Sequence, residues 1–451
     1  MNADHPPCKG LARRLERNAL NRRDSLWLMG ASLGTGALLQ GCATSPVSGQ
    51  RILVGMSEAQ EIAVDRAQSP HQFSADLGPV QDAQVNTYVS EVGQRVHDRV
   101  ERAGLPYSYR ALNANYVNAY TFPAGAVGIT RGILVQLQDE SELAALIGHE
   151  LGHVNARHAA QRQGQALLAQ VALAGLAAST ERSDWAPLLG LGAQIGASAL
   201  LARYSRDNER EADAQGQRYL VEAGYPAGGM VRLHQMLVEQ SREQPSQLET
   251  LFSSHPMSAQ RLETARLLAE SDYAASARAP AQRERYMDRT ASLRALAPTI
   301  EACQKGETAM SRKSHAEAER QFATALRLTP RDYPALLRMA QCQQAQGRLR
   351  EAQRYVRSAR EVYPQEAQAM KLAASLKLGL RDPSGALADL QDYERVLPGD
   401  DGITFLQGVS LEAMGRRDAA AQQYARYLRS VPQGQASTHA MSRLRAWGLV
   451  R

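Results

Sequence analysis

The sequence is poor in cysteine and in aromatic side chains, and its charge is nearly balanced. Four cysteines and 5% aromatics in 451 residues exclude a small disulfide-stapled scaffold and disfavour a β-rich fold. A net charge of +6, without a basic stripe, gives no reason to expect nucleic acid as a partner. The residues that are abundant, Ala, Leu, Gln and Arg, favour helices, and the length predicts two or three domains.

Long hydrophobic runs are also missing. Neither of the two apolar stretches, 26–39 and 166–202, holds eighteen consecutive apolar residues, which is the pattern of a transmembrane helix. The first stretch follows a basic N-terminus and suits the apolar part of an export signal. The second is broken by a polar segment and predicts two helices that form a lid or a hydrophobic wall over a site. Membrane contact is the alternative for these helices.

The export signal ends in LLQGC, which resembles a bacterial lipobox. The resemblance implies that residues 1–41 are removed and that Cys42 is lipidated, which would anchor the chain to the outer membrane on the periplasmic side. An uncleaved short anchor is the alternative, and the export route stays open. Export would leave Cys303 and Cys342 in an oxidising compartment, where a disulfide between them and two buried thiols are both reasonable.

Residues 299–451 contain a period of 34 residues. The repeating positions are Ala318, Ala352, Ala386 and Ala420, and Pro330, Pro364, Pro398 and Pro432. This pattern resembles the tetratricopeptide repeat, a helix–turn–helix unit, and predicts about four repeats with a C-terminal capping helix. Stacked repeats form a concave surface that binds protein, and a purely structural solenoid is the alternative. The preceding segment, 271–298, lacks a clear apolar face and is interpreted as a helical connector.

The chemistry is expected on a predicted helix over 141–162, with Ser141 as its N-cap. On this helix His149 and His153 lie one turn apart on one face, so both imidazoles can reach one zinc ion. Glu150 lies about 100° round the helix from His149, where a carboxylate can take a proton from the attacking water. The segment therefore predicts a zinc-dependent hydrolase, with a pair of core histidines as the alternative.

A second predicted helix, 204–225, supplies two acidic residues at the same spacing. Glu209 is the expected third zinc ligand. Asp213, one turn further on, is expected to hydrogen-bond a ligand imidazole and fix its tautomer. Glu211 points about 200° away from Glu209 and is interpreted as part of a solvated surface. Three protein ligands leave one metal position open, which favours catalytic over structural zinc.

Together these motifs resemble the zinc metallopeptidase family that includes HtpX and the CAAX prenyl proteases. The resemblance covers about residues 50–270 and includes 117–134, where Asn118, Pro123 and Gly128 match an edge-strand segment that pairs with extended substrates. The added repeats match the BepA-like branch. The implied fold is mainly α, with a zincin-like α+β domain and a small edge-strand sheet over 42–270, followed by the α-solenoid.

The resemblance also implies a function. It predicts a zinc metalloendopeptidase of the periplasm, with one Zn²⁺ per chain, that takes part in the quality control of outer-membrane proteins. Misassembled outer-membrane proteins would be its substrates, and the repeats would bind these clients or the assembly machinery. The alternative is chiefly a chaperone or assembly adaptor in which proteolysis is rare.

Two further histidines belong to this prediction. His255, followed by Pro256 and Arg261, resembles a family segment that lies near the zinc. His255 is expected either to stabilise the charged transition state or to bind zinc as a reversible plug, and a plain turn histidine is the alternative. His158 is expected to support a ligand or to lie on the surface rather than to bind the metal itself.

Overall fold

The computed structural model describes residues 42–178, 203–243 and 245–450. The predicted signal, 1–41, and much of the second apolar stretch lie outside the described residues. Five strands are described, and their bounds are β1 (Cys42–Thr44), β2 (Arg51–Leu53), β3 (Ser108–Leu112), β4 (Ala119–Thr121) and β5 (Ala126–Thr130). Helices dominate the described residues, which confirms the predicted mainly α fold with few strands.

The helices before the repeats frame the small sheet and continue into the segment interpreted as a connector. Their bounds are α1 (Glu58–Ala75), α2 (Ala83–His97), α3 (Arg131–Leu134), α4 (Glu140–Asn155), α5 (His158–Ala178), α6 (Arg206–Glu222), α7 (Gly228–Glu243), α8 (Pro245–Ser254), α9 (Ala259–Glu270), α10 (Arg283–Arg289) and α11 (Ala291–Arg294). A 3₁₀ turn, Ala274–Arg278, lies between α9 and α10.

The remaining helices form the repeats. Their bounds are α12 (Ala297–Ser311), α13 (His315–Leu328), α14 (Tyr333–Ala345), α15 (Leu349–Val362), α16 (Ala367–Gly379), α17 (Pro383–Val396), α18 (Asp401–Ala413), α19 (Arg417–Ser430) and α20 (Gln435–Ala446). They form four helix pairs and a final single helix, as the 34-residue period predicts. The lack of a side chain at Gly306 on α12 allows close packing within the first pair: a Cβ there would lie 2.5 Å from the Phe322 ring.

β3, β4 and β5 form one sheet in the order β3-β5-β4. β3 pairs with β5 in parallel, and β4 pairs with β5 antiparallel with Tyr120 opposite Gly128. β4 is therefore an edge strand. Asp65 on α1 fixes the turn that joins β4 to β5, because its Oδ2 accepts hydrogen bonds from the backbone N–H groups of Ala124 and Ala126 at 2.9 and 3.1 Å.

Residues 42–57 and the part of α5 from Ala160 onward form a small unit of their own. In it β1 and β2 pair as an antiparallel hairpin, and the Gly55 N–H donates to the Ala160 carbonyl at 2.7 Å. Cys42, the predicted lipidation site, is exposed on β1. None of the helices within the described residues combines the length and the apolar character that a membrane span requires.

The main core contains the helix that carries the predicted zinc ligands. Every residue of α4 is buried, and α4 packs against the sheet, α2, α6 and α7. Its N-cap is Asp139, whose carboxylate accepts from the Glu142 N–H at 3.1 Å, so the predicted cap at Ser141 was wrong by two residues. The predicted single helix over 141–162 was also wrong: Arg157 has a left-handed backbone, φ +59°, and ends α4 before α5 begins.

The connector, residues 271–298, is largely helical and packs against the core of the preceding domain. Tyr286 and Leu293 are buried in the same core as α4, and the Tyr286 hydroxyl donates to the Leu134 carbonyl at 2.5 Å. Residues 271–298 show no apolar face in the sequence because only isolated side chains of this segment, such as Tyr286 and Leu293, point inward. This segment therefore packs as an extension of the peptidase-like core.

The repeats pack directly against that core. Leu77, which follows α1, is buried in a hydrophobic cluster with residues of α14 and α16. The Ser74 hydroxyl donates to Glu366 at 2.6 Å, and Arg131 forms a buried ion pair with Asp332 at 2.6 Å. The inner helices of the second and third repeats, α14 and α16, are thus partly covered by the chain's own N-terminal half.

Cys303 and Cys342 are both buried in the cluster that joins the first two repeats, and both thiols are free. The structure therefore has the two buried thiols that were the alternative to a disulfide. Burial raises the pKa of each thiol, which disfavours the reactive thiolate.

Candidate metal centre

Four side chains from three parts of the fold converge at one buried point. His149 and His153 come from α4, Glu209 comes from α6, and His255 comes from the loop after α8. Each offers one ligand atom, and these four atoms all lie within 4.8 Å of one another. Imidazole nitrogens and a carboxylate oxygen are the donors that zinc takes in hydrolases, so this donor set fits a zinc ion.

The ring nitrogens of the two α4 histidines face Glu209. The two Nε2 atoms lie 3.2 Å apart. The Nε2 atoms of His149 and His153 lie 3.6 and 3.4 Å from the Glu209 carboxylate oxygens. The i, i+4 spacing on α4 and the crossing of α4 with α6 produce this geometry. The two helices can approach this closely because Gly148 has no side chain. A Cβ at this position would lie only 2.7 Å from the Gly216 carbonyl oxygen.

The His149 ring is held from behind by Asp213. Its Nδ1 lies 2.9 Å from Asp213 Oδ1, so the imidazole can donate to this carboxylate while Nε2 faces the cluster. Arg261 donates to both Asp213 oxygens, at 2.6 and 2.7 Å, and also pairs with Glu209 Oε2 at 2.7 Å. His234 Nε2 lies 3.3 Å from Asp213 Oδ1. Asp213 thus has the arrangement expected of a carboxylate that orients a ligand imidazole.

Burial and charge act in opposite directions on the two carboxylates of α6. Burial by itself would raise the pKa of Glu209, but the imidazoles of His255, His153 and His149 lower it well below its ordinary range. Burial likewise opposes ionisation of Asp213, but His234 and Arg261 hold its pKa well below the usual value. Both groups are therefore anions, as metal ligation and imidazole orientation require.

Glu150 lies beside the cluster and is fully buried. Its Oε1 is 3.9 Å from His255 Nε2, and its Oε2 has no hydrogen-bond partner among the described residues. Burial raises the pKa of this carboxyl group, against the opposing charge of His255. A buried carboxylate with a free oxygen is suited to exchange a proton with a reacting group.

The His153 ring is supported differently from the His149 ring. Its Nδ1 lies 2.9 Å from His158 Nδ1, and His158 Nε2 lies 3.0 Å from Glu211 Oε2. Tyr204 stacks on the His153 ring with 3.8 Å between centroids and 21° between planes. His158 is fully buried, so the expectation of a supporting role agrees with its position and the surface alternative does not. Glu211, interpreted as a surface residue, contacts His158 because the chain turns at Arg157.

His255 closes the cluster on the side away from Asp213. Its Nδ1 lies 3.3 Å from His149 Nε2 and 3.2 Å from Glu209 Oε1. Its backbone N–H donates to Leu251 at 2.7 Å, and the neighbouring Ser254 carbonyl accepts from the Tyr204 N–H at 3.0 Å. A pocket of about 90 Å³ lies between His255, Tyr204 and the edge strand β4.

The structure thus brings together every residue that the sequence placed at the site: His149, Glu150, His153, Glu209, Asp213 and His255. Sequence reasoning missed Tyr204 and His234 and recognised Arg261 only as part of a motif. A lone tyrosine just before a helix or a lone histidine on one carries no local signal, because its partner is chosen by tertiary packing. The i, i+4 pattern that revealed Glu209 and Asp213 has no equivalent for these residues.

The fold and the site define a metallopeptidase domain joined to helical repeats. Residues 83–269 match the profile of Peptidase family M48, and residues 309–376 match that of the tetratricopeptide repeat. The chain therefore carries an M48 metallopeptidase domain followed by tetratricopeptide repeats, which confirms the resemblance seen in the sequence. Families of this kind depend on a metal ion, and the four converging side chains could hold one.

Several known proteins are similar to part of this chain. A beta-barrel assembly-enhancing protease of Yersinia pestis is 28% identical over 252 residues, 53% of this chain and 52% of that one. A putative beta-barrel assembly-enhancing protease of Vibrio cholerae is 29% identical over 192 residues, 42% of this chain and 40% of that one. Metalloprotease YcaL of Escherichia coli is 31% identical over 164 residues, 35% of this chain and 60% of that one. The chain spans about half the length of these relatives.

Proposed function

We propose that the protein is a zinc-dependent endopeptidase. The observation that carries the proposal is the buried cluster of His149, His153 and Glu209 with the free carboxylate oxygen of Glu150 beside it. A structural zinc site would have no need of an unpaired buried carboxylate beside its ligands. The M48 match supports the same conclusion.

Each residue of the site has a defined part in this chemistry. His149, His153 and Glu209 would hold the ion, which when bound supplies the Lewis acidity that activates water and polarises the peptide carbonyl. Glu150 takes a proton from the attacking water and passes it to the departing amine. Asp213 and Arg261 keep the His149 ring in the tautomer whose Nε2 is free to bind.

The edge strand β4 provides a place for the substrate backbone. Asn118 and Phe122 direct their backbone groups to β5, through the Thr130 and Ala126 contacts at 3.0 Å. The backbone groups of Ala119 and Thr121 therefore point away from β5, to the side on which an extended peptide would add as a further strand. The pocket beside His255 and Tyr204 adjoins this strand and would receive a substrate side chain.

His255 has a second role in the proposal. Because its Nδ1 lies as close to Glu209 as the other ligand nitrogens do, we assign it as a fourth zinc ligand that holds the resting site closed. A fourth protein ligand occupies the position that the attacking water needs. His255 would have to leave before cleavage, so the plug is preferred here over the transition-state role.

The biological setting belongs to the proposal as well. Relatives named beta-barrel assembly-enhancing proteases support a protease role in beta-barrel assembly. We place this role in the quality control of outer-membrane proteins in the periplasm. The exposed Cys42 is compatible with lipidation and an outer-membrane anchor. The repeats would bind protein clients or the assembly machinery. Part of their inner-helix surface is covered by the chain's own N-terminal half, so binding would use the remaining repeat surfaces.

The test is the variant Glu150→Gln, which keeps the shape of the side chain and removes the base. We expect proteolysis of unfolded outer-membrane protein to fall at least 10²-fold, the usual size of a general-base contribution, while one zinc per chain is retained. Glu222→Gln on the same helix as Glu209, far along its exposed end, is the control and should change neither quantity. Full activity of Glu150→Gln, or loss of its zinc, contradicts the assignment.

The same variant distinguishes the endopeptidase from the adaptor alternative. If Glu150→Gln restores growth in a strain that lacks the protein, proteolysis is dispensable and the adaptor function is favoured.

A further inference from the structure

The structure assigns His158 and Glu211 as positioning residues for the zinc ligand His153. The inference rests on the proposed metal site, since the two residues act only through His153. They form a chain of two hydrogen bonds that runs from the far side of the His153 ring to the edge of the domain. His149 and His153 are thus supported by different devices, a buried Asp–Arg pair for one and a His–Glu pair for the other.

The contacts are short and directional. His153 Nδ1 to His158 Nδ1 is 2.9 Å, and His158 Nε2 to Glu211 Oε2 is 3.0 Å. The His158 side chain is completely buried, and the Glu211 side chain is one-third exposed. The chain of contacts therefore begins at a buried ligand and ends at a carboxylate that water can still reach.

The positions of the protons follow from metal binding. A neutral imidazole binds a metal through a nitrogen that carries no proton, so a His153 that ligates through Nε2 must carry its proton on Nδ1. That N–H can only donate, and the atom it meets is His158 Nδ1, which must then be the acceptor. The proton of neutral His158 is therefore on Nε2, where Glu211 accepts it. One tautomer of each ring satisfies all contacts.

His158 does not reach the metal position itself. His158 Nδ1 contacts His153 Nδ1, on the side of the His153 ring that faces away from Glu209. His158 Nε2 contacts the Glu211 carboxylate. The group of converging ligand atoms accordingly contains His255 and not His158. The position of His158 results from the break between α4 and α5, which turns the chain back toward the ring of His153.

Tyr204 completes the arrangement. Its ring stacks on His153 and limits tilting of the imidazole, while His158 limits rotation in the ring plane. Residues that orient a metal-binding histidine in this way typically contribute 10- to 100-fold to metal affinity. We therefore expect loss of the His158–Glu211 pair to weaken zinc binding and not only to slow catalysis.

The experiment compares variants that break the hydrogen-bond chain with variants that preserve it. Glu211→Ala removes the terminal acceptor, whereas Glu211→Gln keeps a carbonyl oxygen for the His158 N–H. His158→Leu removes both contacts, whereas His158→Gln offers one acceptor to His153 and one donor to Glu211. Glu222→Ala, further along α6, is the matched control. The full-length protein is used throughout, and zinc affinity is measured by competition with a chelator.

We expect zinc affinity to fall 10- to 100-fold in Glu211→Ala and His158→Leu and to stay within about threefold of wild type in both glutamine variants and the control. The visible spectrum of the cobalt-substituted protein should change in the first two variants only, because the His153 ring is then free to turn. Circular dichroism of the metal-free proteins identifies any variant that fails to fold, and the glutamine variants keep the comparison decisive in that case.

Unchanged zinc affinity in Glu211→Ala would overturn the inference, as would glutamine variants that fold but bind zinc as weakly as the alanine and leucine ones. Failure of the proposed function gives a different result. If the wild-type protein binds no zinc or cleaves no substrate, the metallopeptidase assignment itself falls, whereas zinc binding and cleavage that ignore His158 and Glu211 remove only this inference.

Discussion

At the scale of single residues, Arg261 allows two buried anions to lie one helical turn apart. Glu209 and Asp213 would repel each other in a water-poor environment, and the guanidinium between them contacts both. An arginine suits this position because its planar donors can engage two carboxylates at once. The residue therefore balances the charge of both carboxylates, and its contact with Glu209 is through Oε2, which leaves Oε1 facing His153 and His255.

The proposed role of His255 gives a prediction at the same scale. We expect His255→Ala to raise basal proteolysis several-fold, because removal of a fourth ligand opens the position that water needs. The measurement is the cleavage rate of a quenched fluorescent peptide at saturating zinc, with Glu249→Ala, exposed on α8, as the control. A drop in the rate would instead show that His255 assists the transition state.

At the scale of elements, the site depends on how closely α4 approaches α6. Two small-residue contacts bring the helix backbones together: Gly148 on α4 faces Gly216 on α6, and Gly152 on α4 faces Ala212 on α6. A larger residue at any of these positions would push Glu209 away from the two histidines. The glycines of this crossing therefore serve the metal site through backbone distance and not through any chemistry of their own.

We predict that Gly216→Ala destabilises the protein by about 1–3 kcal/mol and weakens zinc binding. The added Cβ would lie 2.6 Å from the His149 backbone nitrogen, which a rigid helix cannot accommodate without moving. Denaturant unfolding of the metal-free protein and a chelator titration give the two values. Gly104→Ala, where a Cβ would meet nothing within 4 Å, should change stability by less than about 0.5 kcal/mol. Equal values for the two variants would contradict the packing argument.

At the scale of the whole molecule, the repeats and the peptidase domain share buried polar contacts. The Arg131 guanidinium is almost completely buried and pairs with Asp332, while the Asn115 side chain accepts from the same guanidinium at 2.6 Å. The Glu366 carboxylate accepts hydrogen bonds from the hydroxyl groups of Ser74 and Tyr333. Because buried polar groups are costly unless they are paired, these contacts favour one fixed arrangement of the repeats against the domain.

Asp332→Asn tests this coupling. Asparagine keeps the N-cap contact to the Ala335 N–H, now 2.9 Å, but leaves Arg131 as an unpaired buried charge. We expect a loss of about 3–5 kcal/mol in the free energy of unfolding, or a separate early transition of the repeats. The measurement is guanidinium unfolding followed by circular dichroism.

Asp382→Asn is the matched control for this variant, since Asp382 caps α17 through Gly385 at 2.8 Å and is exposed. Asp and Asn are nearly equal as N-caps, so it should be close to neutral. A neutral Asp332→Asn would show that the ion pair does not hold the repeats in place.

The sequence alone was sufficient for features that depend on spacing along one element. The distance between His149 and His153 and that between Glu209 and Asp213 are fixed by the pitch of a helix, and the 34-residue period is fixed by the size of a helix pair. The same reasoning failed at Arg157, where one left-handed residue ends a helix that the apolar pattern would continue. It failed again at Tyr286, because one buried side chain makes no pattern.

The sequence by itself thus determined the mainly helical fold, the peptidase motif, the repeats and a list of residues suited to hold a metal. Only the tertiary structure decided how these parts meet: that Arg261 joins Glu209 to Asp213, that Tyr204 stacks on His153, and that His158 reaches Glu211. The physical reason is that local geometry repeats along an element and can be read from spacing, whereas a contact between distant segments depends on the packing of every element between them.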